Sequence, residues 1–335
     1  MNWSEILGKL TAGEDLSRPE AREALNDIMS GQATAAQTSA FIISLRTKGE
    51  TTEEMVGLVE TMRAVGVRVS IEEPVVDTAG TGGDRSGTFN ISTTAALIAA
   101  GAGAKVAKHG NRSASSKCGS ADVLEALGVG IELAPERTAE MVKQAGFGFF
   151  FAPRYHPAMK HVVPIRQQLG IPTVFNFLGP LTNPAGATRQ LIGVYDSRMA
   201  ERMIGVLARL GTERALVIHA DDGLDEVSVS GPTRGYQLWN GEVTPVVLTP
   251  EDFGLRRSDV SELVGGDARK NATMLRSVLA GEVGPRRDAA VANAAATLVV
   301  AGLADSHEDG AALAARSIDS GGAEGVLEQV IALSK

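Results

Sequence analysis

One short segment of the sequence has the composition of an anion-binding loop, Gly80-Thr81-Gly82-Gly83-Asp84. Glycine has no Cβ atom, so the backbone N–H groups of such a loop can approach a phosphate closely. The segment is not a dinucleotide-binding fingerprint, because Arg85 stands where the third glycine would be, and no Gly-Lys-Ser/Thr follows as in a Walker A loop. A tight turn between a strand and a helix is the structural alternative, and the loop alone leaves the two interpretations balanced.

The residues after the loop favour anion binding. Ser92 is suited to be the N-cap of an Ala-rich helix over residues 92–102. The positive end of that helix dipole and its free N–H groups would face whatever the glycine loop holds. In the alternative interpretation, Ser92 caps the helix and has no contact with a ligand.

Residues 108–117 reverse the sign of charge in an acidic chain. They contain three permanent cations, His109 and no carboxylate, whereas the whole chain has a formal net charge of −8. The segment follows a predicted strand, so we expect it beside the glycine loop, where its lysine, serine and asparagine side chains would bind phosphate. A solvated basic loop is the alternative. Cys118 is expected to be a small buried residue rather than a reactive thiol.

Four carboxylates lie within residues 221–226. They would repel one another unless a cation lay among them. Mg²⁺ prefers one or two carboxylates together with water and phosphate oxygens. Asp225 and Glu226 are the predicted ligands, because Leu224 and Val227 anchor that part of the loop, whereas the preceding Asp-Asp-Gly is expected to be a solvated turn. An exposed acidic loop without a metal is the alternative.

A second anion site is predicted near Arg166. Pro164 suits the first turn of a helix, which would place Arg166 in that turn. Its guanidinium and the helix N-terminus would then bind a carboxylate, although an interdomain salt bridge fits the spacing equally well. Of the histidines, only His109 lies in a candidate site. The sequence has no zinc-type His/Cys spacing and no Gly-x-Ser-x-Gly motif, which disfavours a zinc site and a serine hydrolase.

The elements that must position these residues fall into two parts. The first 67 or so residues predict helices without a strand, with capping-box spacing at Ser17/Glu20 and at Thr51/Glu54. From Pro74 onwards, short apolar strands alternate with helices, which predicts a largely parallel sheet with its ligand site at the carboxyl ends of the strands. Strands are predicted at 75–77, 105–108, 147–152 and 215–219, and helices at 121–127 and 289–303.

The predicted fold class is therefore α/β with a separate all-α domain. A small N-terminal helical domain would comprise residues 1–70 together with about 166–184. A larger α/β domain with a mainly parallel central sheet would comprise residues 71–165 and 185–335.

Composition restricts the class of protein. A content of 44% hydrophobic residues is enough for one or two cores, and only 4% are aromatic, so packing depends on Ala, Val, Leu and Ile. The net negative charge disfavours nucleic acid and anionic lipid as partners. The single cysteine suits a reducing compartment, and the N-terminus has no signal-peptide pattern. We therefore expect a soluble cytoplasmic protein.

These motifs together resemble those of the anthranilate phosphoribosyltransferase family of tryptophan biosynthesis, a group within the nucleoside phosphorylase-like phosphoribosyltransferases. The resemblance covers nearly the whole chain, and the combination is specific although each motif alone is weak. The matching segments are residues 80–84, 88–93, 108–113, 119–122, 156–161, 176–184, 224–226, 265–268 and 318–321. Tyr155, before the motif that begins at His156, is less typical of the family and would lie near the access path of the acceptor.

The resemblance implies transfer of a phosphoribosyl group from phosphoribosyl pyrophosphate to the amino group of anthranilate, with two Mg²⁺ ions and a homodimer packed through the helical domain. It assigns no catalytic residue firmly, but Lys108 and His109 would support the transition state. The implied metal ligands are Ser92, Asp225 and Glu226, and the implied anthranilate residues are Gly80, His109, Asn111 and Arg166. The implied phosphoribosyl pyrophosphate residues are Gly80, Gly83, Asp84, Thr88, Asn90, Ile91, Ser92, Thr93, Lys108, Asn111, Arg112, Ser113, Ser115, Ser116 and Ser120.

Two other functions remain open at this point. A pyrimidine nucleoside phosphorylase of similar architecture would use free phosphate, but such a site has less need of the acidic pair Asp225 and Glu226. A non-catalytic relative that binds nucleic acid is opposed by the net charge and by the acceptor residues Asn111 and Arg166.

Overall fold

The N-terminal part of the protein is a bundle of four helices. A computed structural model describes residues 1–113 and 117–335. The capping boxes predicted at Ser17/Glu20 and Thr51/Glu54 are both formed, and each fixes the start of a helix. The helices are α1 (Trp3–Thr11), α2 (Arg18–Met29), α3 (Ala35–Lys48) and α4 (Thr52–Val65).

The rest of the described chain is built around one sheet of seven strands in the order β3-β2-β1-β4-β5-β6-β7. The pairs among β1 to β5 are parallel, whereas β6 and β7 are antiparallel. The predicted mainly parallel sheet is therefore confirmed. The strands are β1 (Val76–Gly80), β2 (Val106–Gly110), β3 (Phe147–Phe151), β4 (Arg189–Gly193), β5 (Arg214–Ala220), β6 (Thr233–Trp239) and β7 (Glu242–Leu248).

The strand order reverses between β1 and β4. The chain runs outward from β1 through β2 to β3, and then returns to place β4 on the other side of β1. In open parallel sheets, ligands bind in the crevice outside the carboxyl ends of the strands at such a reversal. Gly80 and Gly193 are paired at the last position of the two strands, so they mark this crevice.

Helices cover the sheet and fill the space beyond it. Helices α5 and α13 pack on each other and against β1, and α13 also packs against β4. The helices of this part are α5 (Ile91–Gly101), α6 (Ser120–Ala126), α7 (Pro135–Ala145), α8 (Ala152–Tyr155), α9 (Val163–Leu169), α10 (Phe175–Leu178), α11 (Arg198–Arg209), α12 (Ala268–Leu279), α13 (Pro285–Ala301), α14 (His307–Asp319) and α15 (Gly322–Leu333). Among the described residues, no helix is both long and apolar enough to cross a bilayer.

Alternate side chains of β5 enter two different cores. Leu216 and Ile218 belong to the core formed with α5 and α13, whereas Ala215 and Val217 belong to the core that also contains the four-helix bundle. Helix α11 lies between the bundle and the sheet and contributes buried residues to the second core. The helical bundle therefore shares one continuous apolar core with the sheet.

Several element boundaries differ from those predicted. Strand β1 continues to Gly80, so the glycine loop begins at Thr81, and β2 includes His109, so the basic loop begins later than predicted. The hairpin of β6 and β7 was not predicted, although Asn240 and Gly241 form its two-residue turn with φ values of 51° and 80°. Tyr155 is buried and its hydroxyl donates to Thr138 Oγ1 at 3.0 Å, so it is a core residue rather than part of an access path.

Candidate active site

Asp225 lies directly over the carboxyl ends of β1 and β4. Its Oδ2 accepts a hydrogen bond from the backbone N–H of Gly82 at 2.7 Å. A Cβ atom on Gly80 would lie 2.5 Å from the same oxygen, and a Cβ atom on Gly193 would overlap the carbonyl oxygen of Asp225. Glycine at position 80 therefore leaves space for the Asp225 carboxylate, and the implied contact of Gly80 with anthranilate stays a prediction.

The start of helix α5 is occupied by Glu226. The backbone N–H of Ser92 donates to Glu226 Oε1 at 3.1 Å, so the positive end of the helix faces this carboxylate. The prediction that Ser92 caps α5 is wrong, because Asn90 holds the N-cap position and Ser92 lies in the first turn. The hydroxyl of Ser92 is used elsewhere, since it accepts a hydrogen bond from Lys108.

Lys108 carries a positive charge into the interior beside this carboxylate pair. It is 1% exposed, and its Nζ donates to the carbonyl oxygen of Thr78 at 2.6 Å and to Ser92 Oγ at 3.3 Å. Burial lowers the pKa of Lys108, and the charges of Asp77, Glu226 and Asp225 oppose that change. The Lys108 ammonium group therefore lies where it would contact an anion bound at the N-terminal end of α5.

The surroundings of the acidic pair raise the pKa of both carboxyl groups. Burial raises the pKa of Asp225, and the neighbouring charge of Asp84 raises it further. Burial also raises the pKa of Glu226, followed by the effect of Asp225. Asp84 itself accepts a hydrogen bond from Ser86 Oγ at 2.6 Å.

These residues fit a Mg²⁺ ion that is held jointly with a substrate. A divalent cation would relieve the crowding of Asp84, Asp225 and Glu226, in which Asp84 raises the pKa of Asp225 and Asp225 raises that of Glu226. Mg²⁺ takes few protein carboxylates and keeps phosphate and water ligands. Within the described residues, no group of three or more His, Cys, Asp or Glu side chains is arranged to hold a metal alone. The preceding Asp221 and Asp222 are turned away, bonded to Arg234 and to Ser230 respectively.

His109 is a neutral buried residue. Its Nδ1 lies 3.2 Å from the carbonyl oxygen of Gly179, so this nitrogen carries the proton, and its Nε2 is buried without a partner among the described residues. Burial lowers the pKa of His109 to about 3, and the ring of His156, centred 5.1 Å away, adds to that effect. His109 therefore offers a hydrogen-bond acceptor rather than a positive charge.

A buried carboxylate that the sequence did not single out fixes the backbone of His109. Asp77 Oδ1 accepts from the His109 backbone N–H at 3.1 Å, and its Oδ2 accepts from Asn183 Nδ2 at 2.8 Å. Asn183 Nδ2 also donates to the carbonyl oxygen of Ala107 at 2.7 Å, which ties the segment before β4 to β2. Burial raises the pKa of Asp77 to about 6.

Arg166 is the middle residue of the seven-residue helix α9, one turn after its start, and its side chain is oriented before any ligand binds. Its Nη2 donates to Asn176 Oδ1 at 3.3 Å, and the guanidinium lies over the ring of Phe175 at 5.6 Å from its centre. Asn176 is held in turn by the backbone N–H of Thr173 at 2.9 Å. In the described part of the chain, no hydrogen bond joins Arg166 to the group around Asp225.

The loop after β2 is braced by Asp122. The backbone N–H groups of Ser113 and Gly119 donate to Asp122 Oδ2 at 3.1 and 2.8 Å. Arg112 donates to Asp122 and to Glu125, so its charge is already paired in this structure, and its implied contact with phosphoribosyl pyrophosphate stays a prediction. Asn111 is exposed, Ser120 is the first residue of α6, and the predicted Ser115 and Ser116 lie outside the described residues.

The predicted site residues at and before the start of α5 have different surroundings. The side chains of Ile91 and Thr93 are buried, and the implied contacts of these two residues with phosphoribosyl pyrophosphate stay predictions. Thr88 is half-buried and bridges to Val264. Asn90 bonds to Asn271, whose Nδ2 donates to Asn90 Oδ1 at 2.9 Å and whose Oδ1 accepts from the Gly266 N–H at 2.7 Å.

The structure thus brings together the glycine loop, the start of α5, Lys108 and the acidic pair, and it places His109 directly after Lys108 on β2. Asn271 is a residue that sequence analysis missed. Its signal was its position just after the Gly265-Gly266-Asp267-Ala268 motif, which had no role assigned to it. Cys118 is buried, as expected, and its Sγ donates to Asn90 Oδ1 at 3.3 Å.

Comparisons with known proteins agree with this arrangement. Residues 4–66 match the glycosyl transferase family, helical bundle domain, and residues 72–324 match the glycosyl transferase family, a/b domain. The anthranilate phosphoribosyltransferase of Rhodopseudomonas palustris is 50% identical over 334 residues, which is 100% of this chain and 99% of the relative. The chain belongs to the anthranilate phosphoribosyltransferase family.

Solved structures of anthranilate phosphoribosyltransferases have the same fold. The enzyme from Thermus thermophilus is 42% identical, with a TM-score of 0.93 and coverage of 98% of both chains. The enzyme from Saccharomyces cerevisiae, solved in complex with phosphoribosyl pyrophosphate and Mg, is 29% identical, with a TM-score of 0.89 and coverage of 99% of this chain and 97% of that one. The yeast enzyme has also been solved with 4-fluoroanthranilate. The protein is thus an enzyme with the helical and α/β parts of that family.

Proposed function

We propose that this protein transfers the phosphoribosyl group from phosphoribosyl pyrophosphate to the amino group of anthranilate, giving N-(5-phosphoribosyl)anthranilate and pyrophosphate in tryptophan biosynthesis. The observation that carries the proposal is the meeting of Lys108, the start of α5 and the pair Asp225–Glu226 at the strand-order reversal. A cation, a helix N-terminus and two carboxylates suited to a divalent metal are the groups that a metal-bound pyrophosphate requires.

The protein's own groups would act mainly on the leaving pyrophosphate. Negative charge grows on its oxygens as the bond to the ribose carbon breaks, and Lys108 and the N–H groups of α5 would stabilise that charge more in the transition state than before it. Because Lys108 is already held by Thr78 and Ser92, little reorganisation is needed at that moment.

Mg²⁺ would be held by Asp225 and Glu226, with the Ser92 hydroxyl nearby and two ions as the proposed number. When bound, Mg²⁺ supplies further neutralisation of the pyrophosphate charge. Glu226 would then exchange part of its contact with the start of α5 for the metal, which would free the Ser92 N–H for a phosphate oxygen. An ion titration with a direct count would test the number.

The acceptor side would be formed by Arg166, Asn111 and His109. Arg166 would bind the anthranilate carboxylate in bidentate fashion, because its guanidinium is already oriented by Asn176 and Phe175. The acceptor amine is neutral and nucleophilic, so positioning is expected to supply much of the rate. The neutral His109 offers Nε2 as an acceptor for a donor group of the ligand.

Three further parts of the proposal concern the whole protein. The helical domain of residues 1–70 with about 166–184 would close on the α/β domain of residues 71–165 and 185–335 and exclude water. The protein would be a homodimer packed through the helical domain, which light scattering would test. A cytoplasmic location is proposed from the single cysteine.

One assay separates this proposal from its alternatives. The protein is mixed with Mg²⁺, phosphoribosyl pyrophosphate and anthranilate, and anthranilate fluorescence is followed. We expect its loss to depend on all three components. Phosphate-dependent cleavage of a pyrimidine nucleoside, without anthranilate turnover, would instead indicate the phosphorylase, and folded protein that does neither but retains nucleic acid would indicate the binding relative.

A further inference from the structure

Asn293 is a polar residue in an otherwise apolar stretch of helix α13. It is 0% exposed and is surrounded along the helix by buried alanines such as Ala292 and Ala294. Asparagine is a poor residue for a helix interior, and burying its amide is unfavourable unless its polar atoms are bonded. The polar atoms of the Asn293 amide therefore need hydrogen-bond partners inside the protein.

That partner is the backbone of Val227. The Val227 N–H donates to Asn293 Oδ1 at 2.9 Å, and Asn293 Nδ2 donates to the Val227 carbonyl oxygen at 2.9 Å. The second hydrogen of Nδ2 bonds to the carbonyl oxygen of Ala289, also at 2.9 Å. The amide therefore holds both polar groups of one backbone residue, as a neighbouring strand would do.

Val227 directly follows the acidic pair, so this contact determines where the pair lies. On one side, Asp225 bonds to Gly82 and Glu226 bonds to Ser92, and these are contacts that a ligand would compete for. On the other side, the buried contact with Asn293 remains available whether or not a ligand is present. Consecutive Cα atoms are about 3.8 Å apart, so fixing Val227 leaves Glu226 little freedom.

We propose that Asn293 is a positioning residue that holds Asp225 and Glu226 at the strand-order reversal in the geometry that binds the Mg²⁺–pyrophosphate substrate. The inference rests on the proposed metal role of that pair. Asn293 itself touches neither metal nor substrate, and it acts through the backbone of Val227.

Asn293→Leu is the informative variant. Leucine has a similar size, so the volume of the core is retained, but the N–H and C=O groups of Val227 lose their partner. An unpaired buried backbone group is unfavourable, so the loop should move towards water. Thr297→Val is the matched control, because Thr297 is buried one turn further along α13. Among the described residues its hydroxyl bonds only within the helix, to the carbonyl oxygen of Asn293.

The first measurement uses the protein without metal or substrate. Amide hydrogen exchange is followed in a peptide that covers residues 224–229. We expect exchange of the Val227 amide to become faster by about tenfold or more in Asn293→Leu, since each 1.4 kcal/mol is a factor of ten. Thr297→Val should leave it unchanged. Unchanged exchange in a folded Asn293→Leu protein would overturn the inference.

The second measurement is the Mg²⁺ dependence of turnover. Asn293→Leu should raise the half-saturating Mg²⁺ concentration by about tenfold and leave the KM for anthranilate within about twofold of the original value. An equal loss at all Mg²⁺ concentrations would overturn the positioning role. If Asn293→Leu does not fold, Asn293→Ser, which leaves room for a bridging water, should show the same shift to a smaller degree. If the unaltered protein and Thr297→Val do not turn over anthranilate, the proposed function fails, whereas the exchange measurement still tests Asn293.

Discussion

At the scale of single residues, burial pushes opposite charges at the site towards their neutral forms. It lowers the pKa of Lys108 and raises those of Asp225 and Glu226, and the attraction between Lys108 and Glu226 opposes the shift of both partners. A bound metal and pyrophosphate would complete this balance. The affinity for Mg²⁺ should therefore fall as the pH falls, because the carboxyls must lose their protons to bind it.

Arg166→Ala is expected to affect the acceptor and not the donor. The guanidinium lies ready over Phe175, and losing a charge-assisted bidentate contact of about 1.5–3 kcal/mol should raise the KM for anthranilate by about 10- to 100-fold. The dissociation constant of phosphoribosyl pyrophosphate, measured by calorimetry, should stay unchanged. Arg198→Ala is the control, because Arg198 is exposed and bonds only to Asp196 among the described residues. Loss of donor binding with anthranilate binding intact would show that the acceptor site is elsewhere.

His109→Asn is expected to reduce the acid sensitivity of the fold. The pKa of folded His109, about 3, is below the unfolded value of about 6.5. The buried neutral ring therefore contributes stability that is fully present above the unfolded pKa and is lost progressively as the pH falls from there towards the folded pKa. Between about pH 7 and pH 5, the stability difference between the original protein and the variant should shrink by about 2 kcal/mol. Asparagine can still donate to the Gly179 carbonyl oxygen, and the contributions of His156 and Asp77 are present in both proteins.

The measurement is urea unfolding of both proteins at the two pH values. A stability difference that does not change with pH would mean that folded His109 titrates near its ordinary pKa, which would contradict its description as a neutral buried acceptor.

At the scale of elements, two glycines at the ends of β1 and β4 admit the acidic loop. Gly193→Ala should displace Asp225, because the new Cβ atom would overlap its carbonyl oxygen. Overpacking of this kind typically costs about 1–3 kcal/mol, and the Mg²⁺-dependent activity should fall much further than the stability. Gly231→Ala is the control, since a Cβ atom there meets nothing within 4 Å. A variant of Gly193 with full activity would show that Asp225 need not lie there.

Elements with a strong local sequence pattern could be predicted, whereas the positions of elements that depend on distant contacts could not. The capping boxes of α2 and α4 were predictable, because the bonded residues are three positions apart. The β6–β7 hairpin was also within reach through its Asn240-Gly241 turn. The contact of Asp225 with Gly82 spans 143 positions, and no local pattern encodes it.

The same distinction applies to the candidate site. Glycine, lysine and carboxylate motifs indicated which segments meet, and Lys108, Ser92, Asp225 and Glu226 do meet. Their detailed roles were less predictable, since Arg112 is paired with Glu125 and the space beside Gly80 is filled. The roles of Asp77, Asn183 and Asn271 could not be read from the sequence, even where a motif lay beside them, because each side chain bonds to a segment far along the chain.

At the scale of the whole molecule, the helical bundle and the sheet depend on each other. One core contains buried residues of α1 to α4 together with Ile192, Val194 and Val217 of the α/β part. Removing residues 1–66 would expose these side chains to water, at a cost of roughly 1.5–3 kcal/mol for each large one. We expect the remaining chain to lack a cooperative thermal transition in calorimetry. A sharp transition for residues 67–335 would contradict a shared core.

The most direct test of the central claim is to count products. The protein is incubated with Mg²⁺, phosphoribosyl pyrophosphate and anthranilate, and the pyrophosphate released is compared with the anthranilate consumed. We predict a ratio of one to one, and a half-saturating Mg²⁺ concentration that rises by about tenfold in Asp225→Asn, since losing about 1.4 kcal/mol of interaction has that effect. Pyrophosphate release without anthranilate consumption, or an Asp225→Asn protein with an unchanged Mg²⁺ requirement, would contradict the account.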